Sequence, residues 1–245
     1  MTTELYFGII AVLFSVVFAK QDIPPFLHVC HRQDPELNQC FIAAGEEIRP
    51  YLVKGVPEYN IPSLEPLIMD QLISEDLSGI HIEAKDVKAW GCSKYFVRNN
   101  SVDVENQKYQ LDVYLPELQI EAYYTVDGKL LLMPVKGEGP MKANITHVVT
   151  KVKLEGETFE SNGERFLKYT SMVMKVTVGG GHVLFSNLFS GDKLLNDVIN
   201  LTINNNFDAF LKELLPVIEK SLSAVFLDIS NKIVNKFTFD QLFPM

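Results

Sequence analysis

Five histidines, three cysteines and scattered serines are among the side chains of this 245-residue chain with the chemistry for nucleophilic, acid–base or metal-ligand work. Their spacing argues against each role. A lipid esterase needs its serine on a strained Gly-x-Ser-x-Gly elbow, and that pattern does not occur. The histidines form no His-Glu-x-x-His pair, which would set two ligands on one helical face; His28 and His31 instead flank Cys30. Gly137-Glu138-Gly139 and Gly179-Gly180-Gly181 lack the Lys-Ser/Thr or third glycine of a phosphate cradle, so both read as hairpin turns. The expectation is a protein without catalysis, metal or cofactor.

Cys30 and Cys40 are close enough to close an eleven-residue ring in an oxidising compartment, stabilising the N-terminal region by roughly 3 kcal/mol. Cys92, in Ala89-Trp90-Gly91-Cys92-Ser93, reads as a small buried hydrophobe. The compartment is indicated by the N-terminus. Leu5 to Ala19 is a mainly aliphatic run of about 15 residues, short of the roughly 20 that span a bilayer, and it ends in small residues. Residues 1–19 are therefore expected to be a secretory signal and 20–245 one secreted, extracellular domain, monomeric and glycosylated at sequons among Asn99, Asn144 and Asn200, Asn99 lying in a polar, loop-like stretch. The net charge of −9 becomes −8 on loss of Glu4, which argues against nucleic acid as a partner.

The elements that must position any site are legible from periodicity. From Phe207 to Phe237, Leu211, Leu215, Ile218, Leu222, Val225, Ile229, Ile233 and Phe237 recur by threes and fours, predicting one helix about 45 Å long. Leu214, Val217, Phe226, Leu227 and Val234 widen the apolar face until only a polar strip through Lys212, Glu219, Ser223, Ser230 and Asn231 remains, so the helix must be wrapped on several sides. Asp34-Pro35 opens a second helix running to Leu52, and Pro57, Pro62 and Pro66 set an extended strap around Ile61, Leu64 and Leu67. From about Leu77 to Phe189 the period becomes two, with turns at Asp127-Gly128, Asn162-Gly163 and Gly179 to Gly181. The predicted class is α+β: a strongly curved antiparallel meander, apolar on one face, wrapped around the C-terminal helix.

A curved sheet over a helix is expected to enclose a hydrophobic tunnel lined by soft or bulky side chains. Trp90, Met133, Phe166, Met172 and Met174 are its candidates from the sheet, and Leu222, Phe226 and Ile229 from the helix. Tyr124, with Tyr123 and His147, is eligible to hold a ligand's polar head. An alternative is an extracellular module that docks a membrane receptor, with lipid only structural, through the acidic row Glu155, Glu157, Glu160 and Glu164.

Three segments resemble one known family. Asp34-Pro35-Glu36-Leu37-Asn38-Gln39-Cys40-Phe41, continuing through Ile48-Arg49-Pro50, Gly55-Val56-Pro57-Glu58 and Ile61-Pro62-Ser63-Leu64-Glu65-Pro66-Leu67, is similar to the N-terminal motif of the insect takeout and haemolymph juvenile-hormone-binding proteins. Asn187-Leu188-Phe189-Ser190-Gly191-Asp192-Lys193 and the close Phe237-Thr238-Phe239-Asp240-Gln241-Leu242-Phe243-Pro244 resemble its later motifs. The resemblance implies a sheet curled around the terminal helix, a Cys30–Cys40 disulfide, and a tunnel for a small hydrophobic ligand such as a terpenoid like juvenile hormone or a fatty acid. No cysteine follows Cys92 to build the second disulfide of the moth hormone carriers, which places the chain nearer the takeout branch, whose members are tied to circadian, feeding and chemosensory roles.

Overall fold

Two very long strands carry the architecture. In a computed structural model that describes residues 21–77, 80–131, 133–189 and 192–245, β4 (Lys108–Leu130) and β5 (Met133–Ser161) pair antiparallel from Lys108↔Glu155 to Leu130↔Met133. The segment read as a secretory signal lies outside the described residues, as do Ser190 and Gly191 of the second motif. Each long strand is too long for one neighbour. β2 (Ile80–Trp90) pairs with β4 between Gln119 and Asp127, while β3 (Phe96–Asp103) takes its Lys108 to Tyr114 half. On β5, β7 (Gly180–Phe185) takes Met141 to Thr146 and β6 (Glu164–Thr177) takes Val149 to Ser161. With β1 (Leu67–Leu77) on β2, the main order is β1-β2-β4-β5-β6.

The division of β5 falls at His147, whose φ is +54°, and Gly179 donates there to the carbonyls of Thr146 and His147. Register shifts interrupt the β1–β2, β2–β4, β3–β4 and β5–β6 ladders, and extra residues of this kind bend a strand and raise its twist. That is the physical source of the predicted curvature. Alternation holds through the bends: Ala122, Tyr124 and Val126 are buried between exposed Glu121, Tyr123 and Asp127.

Several expected boundaries are corrected. Asn162-Gly163 does turn β5 into β6, both residues at positive φ, but Asp127-Gly128 stays in register inside β4, opposite Lys136 and Val135. The reversal comes later, at Leu131, because burying Val126 against Val135 and pairing Asp127 with Lys136 (2.6 Å) extends the ladder past the turn signal. Gly137 and Gly139 are not a turn either: they lie in β5, where a Cβ would sit 2.3 Å from the Asn187 carbonyl oxygen and 2.6 Å from that of Ser186. They let the segment before the last helices cross the sheet. Leu67, assigned to the strap, opens β1, with Leu67 and Met69 buried and Ile68 exposed.

The N-terminal helix is interrupted at Ile48 into α1 (Leu37–Glu47) and α2 (Arg49–Lys54). α3 (Lys193–Asn205) was not anticipated from periodicity, and it leads into the long α4 (Phe207–Val234) and the short α5 (Phe239–Leu242). Both longer C-terminal helices cover sheet edges with side chains. Along α3, Asn196, Asn200 and Asn204 recur every fourth residue; Asn200 and Asn204 each accept from and donate to the backbone of β7, at Phe185 and Val183, and Asn196 accepts from Leu188. The rise of a helical turn nearly equals the advance of two strand residues, so the two ladders match. The polar strip of α4 has the same use. Glu219 accepts from Val176 N (2.8 Å), Ser223 from Met174 N (3.0 Å) and Asn231 from Tyr169 N (2.8 Å) along β6. An edge strand that would otherwise present unpaired groups is thereby satisfied. Among the described residues no helix is long and apolar enough to cross a membrane.

Candidate functional site

Between the inner face of the sheet and α4 lies a cavity of about 570 Å³. Its origin is a mismatch of side-chain size. α4 presents Leu211, Leu214, Leu215, Ile218 and Leu222, while the facing strands supply Ala84, Ala89, Ala122 and Ala143 at positions where a larger residue would fill the gap. Valines from β4, β5 and β6 complete a dry wall, of the size and character that hold drug-sized apolar molecules.

The polar groups of the wall are few and mostly engaged. Tyr124 donates to the Ser186 carbonyl at 2.6 Å, and burial pushes its phenol well above the usual range. Tyr95 donates to the Gly45 carbonyl, and burial raises its pKa too. The Cys92 thiol faces Ala89 O at 3.7 Å and is pushed up to about 12, first by burial and then by Glu65, so it stays protonated and inert. Glu83 turns its carboxylate to Lys85 (2.8 Å) and Gln71 (3.2 Å). Thr150 completes the set.

Of the sequence-predicted lining, the structure places Tyr124, Met172, Met174, Leu222 and Phe226 on this wall. It places three others elsewhere. Ala89 lines the cavity, so Trp90, the next residue of the same strand, points to the opposite face. Phe166 is buried near the β5–β6 turn, stacked on Phe159 at 5.9 Å, and Ile229 lies beyond Phe226 on α4, past the end of the void. The Met133 side chain lies outside the described residues. The other proposed head-group holders also face away: Tyr123 and His147 are exposed. The alanines were missed altogether, although small residues at inward alternating positions were a readable signal.

The far end of the sheet is filled instead. Tyr109, Leu154, Leu167, Val234, Phe239 and Phe243 form a solid cluster there, joined by Phe41. The guanidinium groups of Arg32 (5.1 Å) and Arg165 (4.3 Å) both lie over the Phe239 ring, and both bond Asp240. The Arg32 and Arg165 bonds hold the Asp240 carboxyl below its ordinary value. Arg32 also donates to the carbonyls of Phe243 and Pro244 (both 2.9 Å), so the C-terminal motif clasps the N-terminal loop. Cys30 and Cys40 are bonded beside this clasp, which removes the thiolates that a metal at the neighbouring His28 would need.

The three sequons stand in different settings. Asn99 and Asn144 are both exposed; Asn99, read as lying in a loop-like stretch, is in β3, and Asn144 is in β5. Asn200 is buried, and its Nδ2, the atom a glycan would occupy, donates to Phe185 O and Asn196 O. It is a structural clamp.

Comparison with known proteins agrees with this architecture. The chain is 27% identical, over a gapped alignment of 252 positions that covers 98% of this chain and 95% of each relative, to the "Circadian clock-controlled protein daywake" of Drosophila yakuba and of Drosophila melanogaster. It is 22% identical over 212 residues to a candidate beta-carotene-binding protein of Schistocerca gregaria, covering 86% of this chain and 85% of that one. The crystal structure of Takeout 1 from Epiphyas postvittana superposes with a TM-score of 0.75 at 22% identity, over 89% of this chain and all of that one, and so shares the fold. The family model for haemolymph juvenile hormone binding protein matches residues 9–244, and the chain belongs to that family.

Proposed function

We propose that this protein is a secreted, non-enzymatic carrier that holds a small lipophilic molecule in the cavity beneath α4. The single observation that supports it is a partly enclosed, almost wholly apolar volume of about 570 Å³ framed by facing alanines and leucines, far larger than the few water-sized voids of a packed core. Relatives named for hormone and carotenoid binding point to the same class of cargo. The mechanism is solvation: burying about ten methylenes at roughly 0.8 kcal/mol each yields on the order of 8 kcal/mol before ordering costs, near micromolar affinity. On this reading residues 1–19 direct secretion, 20–245 act as one monomeric domain, and the carrier serves a circadian role, a relative being named a circadian clock-controlled protein.

The test is uptake of the uncharged fluorophore N-phenyl-1-naphthylamine by delipidated protein. Saturable uptake at one site, abolished by Ala122→Phe in a variant that melts as the parent does, supports the carrier. Absent uptake, or uptake equal in Ala122→Phe, removes it.

A further inference from the structure

Helix α3 turns asparagines to the protein and leucines to water. Asn196, Asn200 and Asn204 face β7 and the segment after it, and Val198 stands roughly 200° round the helix from Asn196. Leu194, Val198 and Leu201 follow at spacings of four and three, so they share that outward face, and they are 75%, 51% and 62% exposed. Leu195, 46% exposed, widens it. Single exposed leucines are ordinary, but four large aliphatic side chains on one helix of 13 residues mark a surface with a partner.

Size, composition and charge say which partner fits. The helix is about 20 Å long and its apolar strip about 10 Å wide, about 200 Å² in all, whereas a second copy or another stable protein partner takes roughly 800 Å² per side. Residues 192–205 contain no Trp, Tyr or Arg, the side chains that anchor protein interfaces. A lipid surface makes neither demand, because aliphatic side chains enter it one by one and each gains on leaving water. The charges of the helix, Lys193 against Asp197 with Asp192 at the N-cap, form no basic face, and the chain carries a net charge of −9. An anionic membrane would repel it, so the matching surface is zwitterionic.

The place of α3 beside the cavity gives that contact a use. Ile199 and Ile203, on the flank of the same helix, are buried in one cluster with Tyr124, Val183, Leu188, Phe207 and Phe210, which all line the cavity. One layer of side chains therefore separates the void from the outward leucines. We infer that α3 seats the protein on zwitterionic bilayers and that cargo passes between cavity and membrane at this contact, the second half resting on the carrier reading.

The test uses the delipidated protein, vesicles of dioleoylphosphatidylcholine, and the double variant Leu194→Gln, Leu201→Gln, whose melting temperature and uptake of N-phenyl-1-naphthylamine match the parent's. In density-gradient flotation the parent rises with the vesicles and the variant partitions at least about tenfold less. Replacing part of the lipid with phosphatidylserine strengthens nothing. In stopped flow, release of the fluorophore from the parent speeds up with vesicle concentration, and release from the variant does not. A parent that stays unbound, a variant that binds equally, a preference for phosphatidylserine, or a parent dimer that the variant loses overturns the docking face. Binding with release indifferent to vesicle concentration overturns the exchange. Absent fluorophore uptake overturns the carrier and with it the exchange, while flotation still decides the docking face.

Discussion

The two ends of the space under the sheet are filled by opposite means. At the clasped end, aromatic side chains from α1, β4, β6 and the C-terminal tail stack on one another: Phe41 on Phe243, and Tyr109 against Tyr169 and Phe243. At the other, alanines of β2, β4 and β5 face leucines of α4 across a void. One helix runs past both. The difference teaches that the hollow is a local choice of side-chain volume and not a consequence of sheet curvature, since the same curved sheet packs solidly a few turns away.

The comparison can be broken at its solid end first. Leu167, fully buried in that cluster, fills that end, and Leu167→Ala is expected to cost about 2–5 kcal/mol in urea denaturation while fluorophore capacity stays near one site. Parent-like stability would mean the clasped end is looser than its packing indicates. Next comes the edge clamp. Asn200→Ala strips β7 of a donor and an acceptor and is expected to destabilise by about 1–3 kcal/mol, with hydrogen exchange accelerated at Phe185 above all. Exchange spread evenly over the sheet would contradict the clamp.

Filling the hollow sharpens the contrast. Ala122→Phe in a packed core would cost 1–3 kcal/mol by overpacking, but here the added ring enters empty space, and a change below about 1 kcal/mol is expected together with lost uptake. A large loss of stability would show that the volume is already used. The smallest effect concerns pH. The Asp240 carboxyl is held below its ordinary value of 3.8 by Arg32 and then Arg165. Its contribution is therefore present above about pH 4 and lost as pH falls through the lower folded value. Asp240 is 64% exposed, so solvent screening keeps the effect under about 1 kcal/mol. Asp240→Asn should flatten the acid limb of the stability curve below about pH 4 by that amount; an unchanged limb would place the clasp's strength in the stacking of Phe239 alone.

Much of the fold was written in local pattern. The apolar stripe from Leu211 to Ile233 and the Asn162-Gly163 turn depend on neighbours within a few residues, and each is realised nearly where periodicity puts it. The site was half legible. Met172, Met174, Leu222 and Phe226 stand on the wall because softness and helical phase point the right way, whereas Trp90 and Phe166 were chosen for bulk, and bulk fills space rather than framing it. Ala84, Ala89, Ala122 and Ala143 carry no chemistry to attract notice, yet their smallness is what leaves the room. Asn196, Asn200 and Asn204 looked like a polar stretch with a sequon; only the nearby edge of β7 turns them into a ladder.

The amino-acid sequence by itself determined the elements, their amphipathic faces and the membership of a family, because these rest on periodicities of two and 3.6 and on short motifs read along the chain. Only the tertiary structure decided which half of each long strand pairs with which neighbour, that the polar strip of α4 serves the edge of β6, and where the interior is left empty. Those outcomes depend on volumes and backbone groups brought together from positions far apart in the chain, such as Thr150 and Val113 or Tyr169 and Asn231, whose meeting no local pattern encodes.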